Sequence, residues 1–146
     1  MLALACDHGG LALKKEIAKY LSEKGIEYKD FGTHTEDSCD YPLFGAMAAR
    51  AVASGECEKG IIFCGTGIGI SIAANKVKGI RCVVCSEPFS AKLSRMHNNS
   101  NMLALGGRVV GTELAKMIVD EWLSAEFEGQ RHQRRIDLIS KIEEEN

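Results

Sequence analysis

The sequence predicts an α/β protein, a single-domain three-layer sandwich on a doubly wound parallel sheet of about five strands. Three observations predict it. Short apolar runs alternate with helix-period segments along the whole chain. That alternation demands crossover connections, which are right-handed and lay helices on both faces of the sheet. With 146 residues, 45% hydrophobic and 26% charged, the chain has the length for one core and the mix of a soluble globular protein.

Leu2–Cys6 is a short strand. Leu13, Ile17, Tyr20 and Leu21 then share one helical stripe, and Gly25 stands where a C-terminal glycine belongs. Glu27–Phe31 is a second strand and Tyr41–Ala53 a second helix. Gly60–Cys64 is a third strand, followed by a helix from about Ile70 to Lys76. Ile80–Cys85 is a fourth strand, and Ser86 and Pro88 mark the start of the next helix. Asn101–Leu105 is a fifth strand. Thr112 caps a helix to about Ser124, and a last helix covers roughly Arg131–Glu144. No repeat, low-complexity block or linker interrupts the series, so residues 1–146 read as one Rossmann-like domain.

The net charge of −2 gives no reason to expect nucleic acid or an acidic membrane as partner. The apolar runs fall far short of a bilayer span, and MLALACDHGG lacks the basic region and length of a signal peptide. A cytoplasmic setting is expected. The six cysteines are too few for a disulfide scaffold in a chain of this length, and reduced thiols fit that setting. Cys82 and Cys85 match C-x-x-C, but residues three apart on a strand point to opposite faces. They are expected to be separate buried small hydrophobes.

In doubly wound sheets ligands bind outside the carboxyl ends of the strands, where strand order reverses. Asp7-His8-Gly9-Gly10 follows the first strand, Cys64-Gly65-Thr66-Gly67-Ile68-Gly69 the third, and Gly106-Gly107-Arg108 the fifth. His97-Asn98-Asn99, closing the fourth helix, is expected to join them. Taken singly, Asp7-His8 reads as a cap and a surface imidazole, and Gly-Gly-Arg as a turn. Jointly they gather polar, ionisable and glycine residues at one edge.

The glycine loop after Cys64 is the sharpest feature. Glycines let backbone N–H groups approach a ligand, and a helix beginning near Ile70 adds unpaired N–H groups and a positive dipole end. A phosphate, or a negative oxygen created during a reaction, suits such a loop. A thiol beside a helix N-terminus gains thiolate character and can act as nucleophile or base. The plain alternative is a buried cysteine closing a strand. No Gly-Lys-Ser/Thr follows, so this is not a Walker A loop. Ile70 replaces the third glycine of the dinucleotide fingerprint, although Glu87 lies at a fitting separation for a ribose contact. Ile62 and Thr66 occupy the positions that a nucleophile elbow fills with glycine.

On the last helix Arg131 and Arg135 fall in the sector of Leu138, Ile139 and Ile142. Two arginines on a packing face need an anion: a phosphate, or a carboxylate of this or a partner chain. Asp7, His8, Cys64 and His97 are all possible metal ligands, but none forms a local pair such as His-x-x-x-His, so no metal is expected.

Asp7-His8-Gly9-Gly10, Asp40-Tyr41-Pro42, the Cys64–Gly69 loop, Ser86-Glu87-Pro88, His97-Asn98 with Asn101, Gly107-Arg108, and Arg131 with Arg135 together resemble type B ribose-5-phosphate isomerase. The resemblance covers essentially the whole chain. Galactose-6-phosphate isomerase subunits share the superfamily and are the nearest competitors. The resemblance implies a cofactor-free aldose–ketose isomerase of the pentose phosphate pathway, acting on ribose 5-phosphate and ribulose 5-phosphate. A six-carbon aldose phosphate, such as allose or galactose 6-phosphate, is the alternative substrate. A homodimer is implied, sometimes paired into a tetramer, with the C-terminal helix at the dimer interface and active sites shared between subunits. Cys64 would then carry the proton between C2 and C1, and His97 would open the furanose ring. Thr66 and the N–H groups of Gly65, Gly67, Ile68 and Gly69 would hold the enediolate. Asp7 and Asn98 would contact sugar hydroxyls. His8, Arg108, Arg131 and Arg135 would surround the phosphate, and Tyr41 would line the pocket. Some family members use a downstream glutamate as base; here the cysteine is present and Ala74 stands five after Gly69. A nucleotide-binding module and a Cys-His hydrolase acylated on Cys64 are the readings from other classes.

Overall fold

The computed structural model describes residues 1–146. In chain order the elements are β1 (Leu2–Cys6), α1 (Leu11–Glu23), β2 (Tyr28–Asp30), α2 (Tyr41–Ala53), β3 (Lys59–Cys64) and α3 (Ile68–Ala74). They continue with β4 (Cys82–Val84), α4 (Pro88–Asn98), β5 (Met102–Gly106), α5 (Thr112–Ser124) and α6 (Arg131–Glu144). All five strands are parallel, in the order β2-β1-β3-β5-β4.

The three central strands are almost wholly apolar because both of their faces are covered. Alternate residues serve opposite layers. Leu4, Phe63, Leu103 and Leu105 meet the layer of α1, α4 and α5, which contributes Ile17, Ala91 and Trp122. Ala3, Ala5, Ile62 and Ala104 meet the layer of α2 and α3. The alanines on that face let α2, itself rich in Ala, lie close. A Cβ on Gly45 of α2 would stand 2.8 Å from the Ile70 side chain of α3. Trp122 Nε1 donates to Ser100 Oγ at 2.9 Å, so the largest buried side chain keeps its polar atom paired.

Several boundaries differ from the sequence expectation. β2 and β4 are edge strands with one neighbour each, and only their middle residues pair. α3 begins at Ile68, not Ile70, because Gly67 takes φ +81° and turns the chain straight from β3 into the helix. Glu87, not Ser86, caps α4: its carboxylate accepts the Ser90 N–H at 2.9 Å. That bond also occupies the side chain a nucleotide ribose would need. Gly111, not Thr112, is the residue before α5. α1 closes as expected on Gly25, with the Ile26 N–H donating to the Leu21 carbonyl at 2.9 Å.

All six cysteines are free thiols. Cys82 and Cys85 face opposite cores, as strand alternation requires. Burial pushes the Cys85 thiol up to about 11, and that of Cys82 higher still. No helix is long and apolar enough to cross a membrane.

Candidate active site

Strand order reverses between β1 and β3, since β1 leads to β2 on one side and β2 returns across it to β3 on the other. The crevice at their carboxyl ends receives Asp7–Gly10 and Cys64–Gly69. The two loops are in backbone contact. The Asp7 N–H donates to the Phe63 carbonyl at 3.1 Å. A Cβ on Gly10 would lie 2.4 Å from the Phe63 carbonyl carbon, and one on Gly106 would lie 2.6 Å from the Thr66 oxygen. Side chains at these positions would force apart the strand ends that form the crevice.

Cys64 is buried, and its Sγ accepts the Gly67 N–H at 3.0 Å. The Ile68 N–H is taken by Thr66 Oγ1 at 3.2 Å. Two of the donors expected for a ligand are thus engaged within the loop. The N–H groups of Gly69 and Ile70, in the first turn of α3, have no partner one turn earlier in the helix. Tyr41 lays its ring on Gly69, where a Cβ would come within 2.8 Å of two ring carbons. Arg108 crosses the loop with Nη1 3.4 Å from the place of a Gly65 Cβ. Asp7 is buried, and its Oδ1 accepts the Gly10 N–H at 3.0 Å.

His8 Nδ1 accepts the Cys39 N–H at 3.2 Å. An accepting Nδ1 leaves the ring proton on Nε2, the nitrogen that remains for a ligand. Cys39 was not among the expected site residues. Its part is played by a backbone N–H that any residue but proline carries, so its identity gave no signal.

The structure does not bring His97 and Asn98 to this edge. A crossover helix runs back against the strands, so α4 starts at the carboxyl edge and ends at the amino edge. The Asn98 carbonyl accepts Arg81 Nε at 3.0 Å, and Arg81 immediately precedes β4. α5 makes the same descent, so α6 also starts there. The Glu128 N–H donates to the Met96 carbonyl at 3.0 Å, just before Arg131 and Arg135.

The expected packing face of α6 is also corrected. The buried residues of α6 are His132 and Ile136, whereas Arg131 and Arg135 are exposed, as are Leu138, Ile139 and Ile142. Helical periodicity identifies the sector but not what covers it. The candidate residues therefore fall into two groups at opposite edges of the sheet. Asp7, His8, Tyr41, Cys64–Gly69 and Arg108 lie at the carboxyl edge; His97, Asn98, Arg131 and Arg135 lie at the amino edge.

Around His97 the structure adds two residues that no motif announced. Glu128 Oε1 lies 3.4 Å from His97 Nε2. The His132 ring stacks on His97 with centroids 4.4 Å apart and planes 14° from parallel. One ligand atom from each of the three falls within 4.8 Å of the others. Nearly parallel stacked imidazoles direct their in-plane lone pairs side by side instead of at one point, which is poor tetrahedral metal geometry. His132 Nε2 is buried without a partner. Burial holds His132 below the ordinary histidine range, reinforced by the charges of Arg131, His97 and Arg135 and opposed by Glu128.

Residues 2–139 match the model of the Ribose/Galactose Isomerase family. The chain is 58% identical over 143 residues to Ribose-5-phosphate isomerase B of Escherichia coli (strain K12), covering 98% of this chain and 96% of that protein. The solved structure of Clostridium thermocellum Ribose-5-Phosphate Isomerase B superposes with a TM-score of 0.98 at 56% identity, over 99% of this chain and 97% of that one. The Mycoplasma genitalium enzyme with bound ribulose 5-phosphate superposes with a TM-score of 0.95 at 42% identity, over 99% and 97%. The match runs from β1 into α6 and takes in both groups of candidate residues: the chain belongs to the ribose/galactose isomerase family.

Proposed function

We propose that residues 1–146 form one sugar-phosphate isomerase domain that interconverts ribose 5-phosphate and ribulose 5-phosphate. The observation that carries this reading is the Cys64 sulfur at the strand switch point, held by the Gly67 N–H at 3.0 Å beside the free donors of α3. The names of the relatives and the ketose bound to one of them support the substrate. His97 gives a proton to the furanose ring oxygen as the C1–O4 bond breaks and takes the O1 proton in its place, leaving the open aldehyde. Cys64 thiolate then takes the proton from C2. The electron pair moves through C1 to the carbonyl oxygen, and N–H donors with Thr66 steady the enediolate. The same sulfur returns the proton to C1 while the O2 hydroxyl proton passes to O1, giving the ketose. Asp7 and Asn98 orient hydroxyls, Tyr41 lines the pocket, and His8, Arg108, Arg131 and Arg135 hold the phosphate, which keeps the sugar in register without reacting.

The half-sites require a second copy of the chain. In this reading the amino edge of one protomer, with His97, Asn98, Arg131 and Arg135, completes the carboxyl edge of its partner. The exposed Leu138, Ile139 and Ile142 beside those arginines suit burial in such an interface. Free thiols throughout suit a cytoplasmic enzyme.

The test is Cys64→Ala. It should abolish pentose phosphate interconversion while ribose 5-phosphate still binds. A variant that turns over at the normal rate would refute the role of the sulfur. A panel with allose and galactose 6-phosphates decides whether the pocket also takes six-carbon sugars.

A further inference from the structure

The isomerase reading gives His97 a proton to move but assigns nothing to hold its ring. We propose that Glu128 is the positioning residue of His97, accepting its Nε2–H and turning Nδ1 toward the sugar. This inference rests on the reading of His97 as the ring-opening group.

Three contacts carry it. Glu128 Oε1 is 3.4 Å from His97 Nε2. The Glu128 N–H donates to the Met96 carbonyl at 3.0 Å, which pins Glu128 to the turn of α4 that bears His97. The chain then turns through Gly129 (φ 70°) and Gln130 (φ 53°), a left-handed pair that swings His132 over the imidazole. Stacking sets the plane of the His97 ring. It does not set rotation within that plane, and so leaves open which nitrogen faces outward. The carboxylate at one edge sets that. His97 is 36% exposed near the end of a helix, where an unsupported imidazole would sample several rotamers. In its protonated form both nitrogens donate: Nε2–H to Glu128 and Nδ1–H to the sugar ring oxygen.

The two substrates separate ring opening from proton transfer between carbons. Ribose 5-phosphate arrives as a ring. Ribulose 5-phosphate carries its phosphate on O5, has no furanose form, and arrives open. The experiment compares wild type, Glu128→Ala and Glu128→Gln by two readouts: kcat/KM on ribose 5-phosphate, and exchange of the ribulose 5-phosphate C1 proton in D2O followed by NMR. Glu128→Ala should lower the first about tenfold, and Glu128→Gln, which keeps an acceptor oxygen, should stay within about threefold. Exchange should stay within about twofold of wild type in both variants. An equal fall of both readouts in Glu128→Ala marks a merely structural role and overturns the proposal. So does an unchanged kcat/KM. A wild-type protein that neither isomerises nor exchanges the proton overturns the isomerase reading instead.

Discussion

Mixing two inactive variants should restore activity. α4 is 11 residues long and descends about 16 Å at the usual helical rise, from the carboxyl edge of the sheet to the amino edge. Cys64 stands at the top of that descent and His97 at its foot. In the proposed shared-site dimer, a Cys64→Ala homodimer would lack the base in both sites, and a His97→Ala homodimer the ring-opening group in both. In a mixed dimer one site takes Cys64 from one chain and His97 from the other, and is intact; the second site lacks both residues. Random assembly at equal input makes half the dimers mixed, so activity should recover to about one quarter of wild type, and to about one half in purified mixed dimers. The assay is ketose formation from ribose 5-phosphate, with two affinity tags used to isolate the mixed species. If each site were built within one chain, every site of a mixed dimer would lack one residue. Isolated mixed dimers with no recovered turnover would therefore refute the shared site.

Four further outcomes follow from the structure. Gly10→Ala places a methyl 2.4 Å from the Phe63 carbonyl carbon and should cost about 2–3 kcal/mol in urea melts; an unchanged midpoint would contradict the close approach. Lys14 is buried, with Nζ 2.7 Å from Asp30 Oδ1 and 2.7 Å from the Thr33 carbonyl. Lys14→Met keeps the bulk but removes both Lys14 hydrogen bonds, at about 2 kcal/mol because Asp30 keeps some solvent and its Oδ1 still accepts the Gly32 N–H at 2.9 Å; stability equal to wild type would show the pair to be idle. Arg135→Ala should raise KM for ribose 5-phosphate about tenfold with little change in kcat, as loss of a phosphate contact requires. His132 resists protonation in the fold, whereas in the unfolded chain it gains a proton below about pH 6.5, so stability is full above that pH and declines as acid is added. Chemical melts from about pH 8 to about pH 5 should show that decline in wild type and a flatter profile in His132→Phe.

The carboxyl-edge half-site was legible because it is built from local signals. An apolar run ending in Cys64 and a glycine loop specify a strand, a turn and a helix start within a dozen residues, and Asp7-His8 does the same after β1. The swapped order of β4 and β5 was not legible, since crossover rules fix the hand of a connection and not how many strands it passes. His97 was assigned to the wrong edge for a related reason. Its local sequence marks the end of a helix, but the direction of α4 decides at which end of the sheet that helix emerges. Glu128 and His132 carried no signal because their meaning depends on a turn between two helices that no periodicity describes. Periodicity places Arg131 and Arg135 on the sector of Leu138, Ile139 and Ile142 but does not say what covers it, and in this chain both are exposed.

That division has a chemical consequence. A parallel crossover helix cannot return its last turn to the carboxyl edge of its own sheet, so a fold of this class that recruits such a residue must take it from another copy. Under two-fold symmetry the exchange is mutual: each amino edge that completes a neighbour's site is matched by one completing its own. The monomer then holds a sulfur with a glycine cradle at one end and an imidazole with two arginines at the other. In the proposed mechanism neither end alone both opens a furanose and moves its C2 proton. Dilution that separates the subunits should accordingly abolish turnover of ribose 5-phosphate without unfolding either chain, and a monomer retaining full specific activity would contradict this account of the split site.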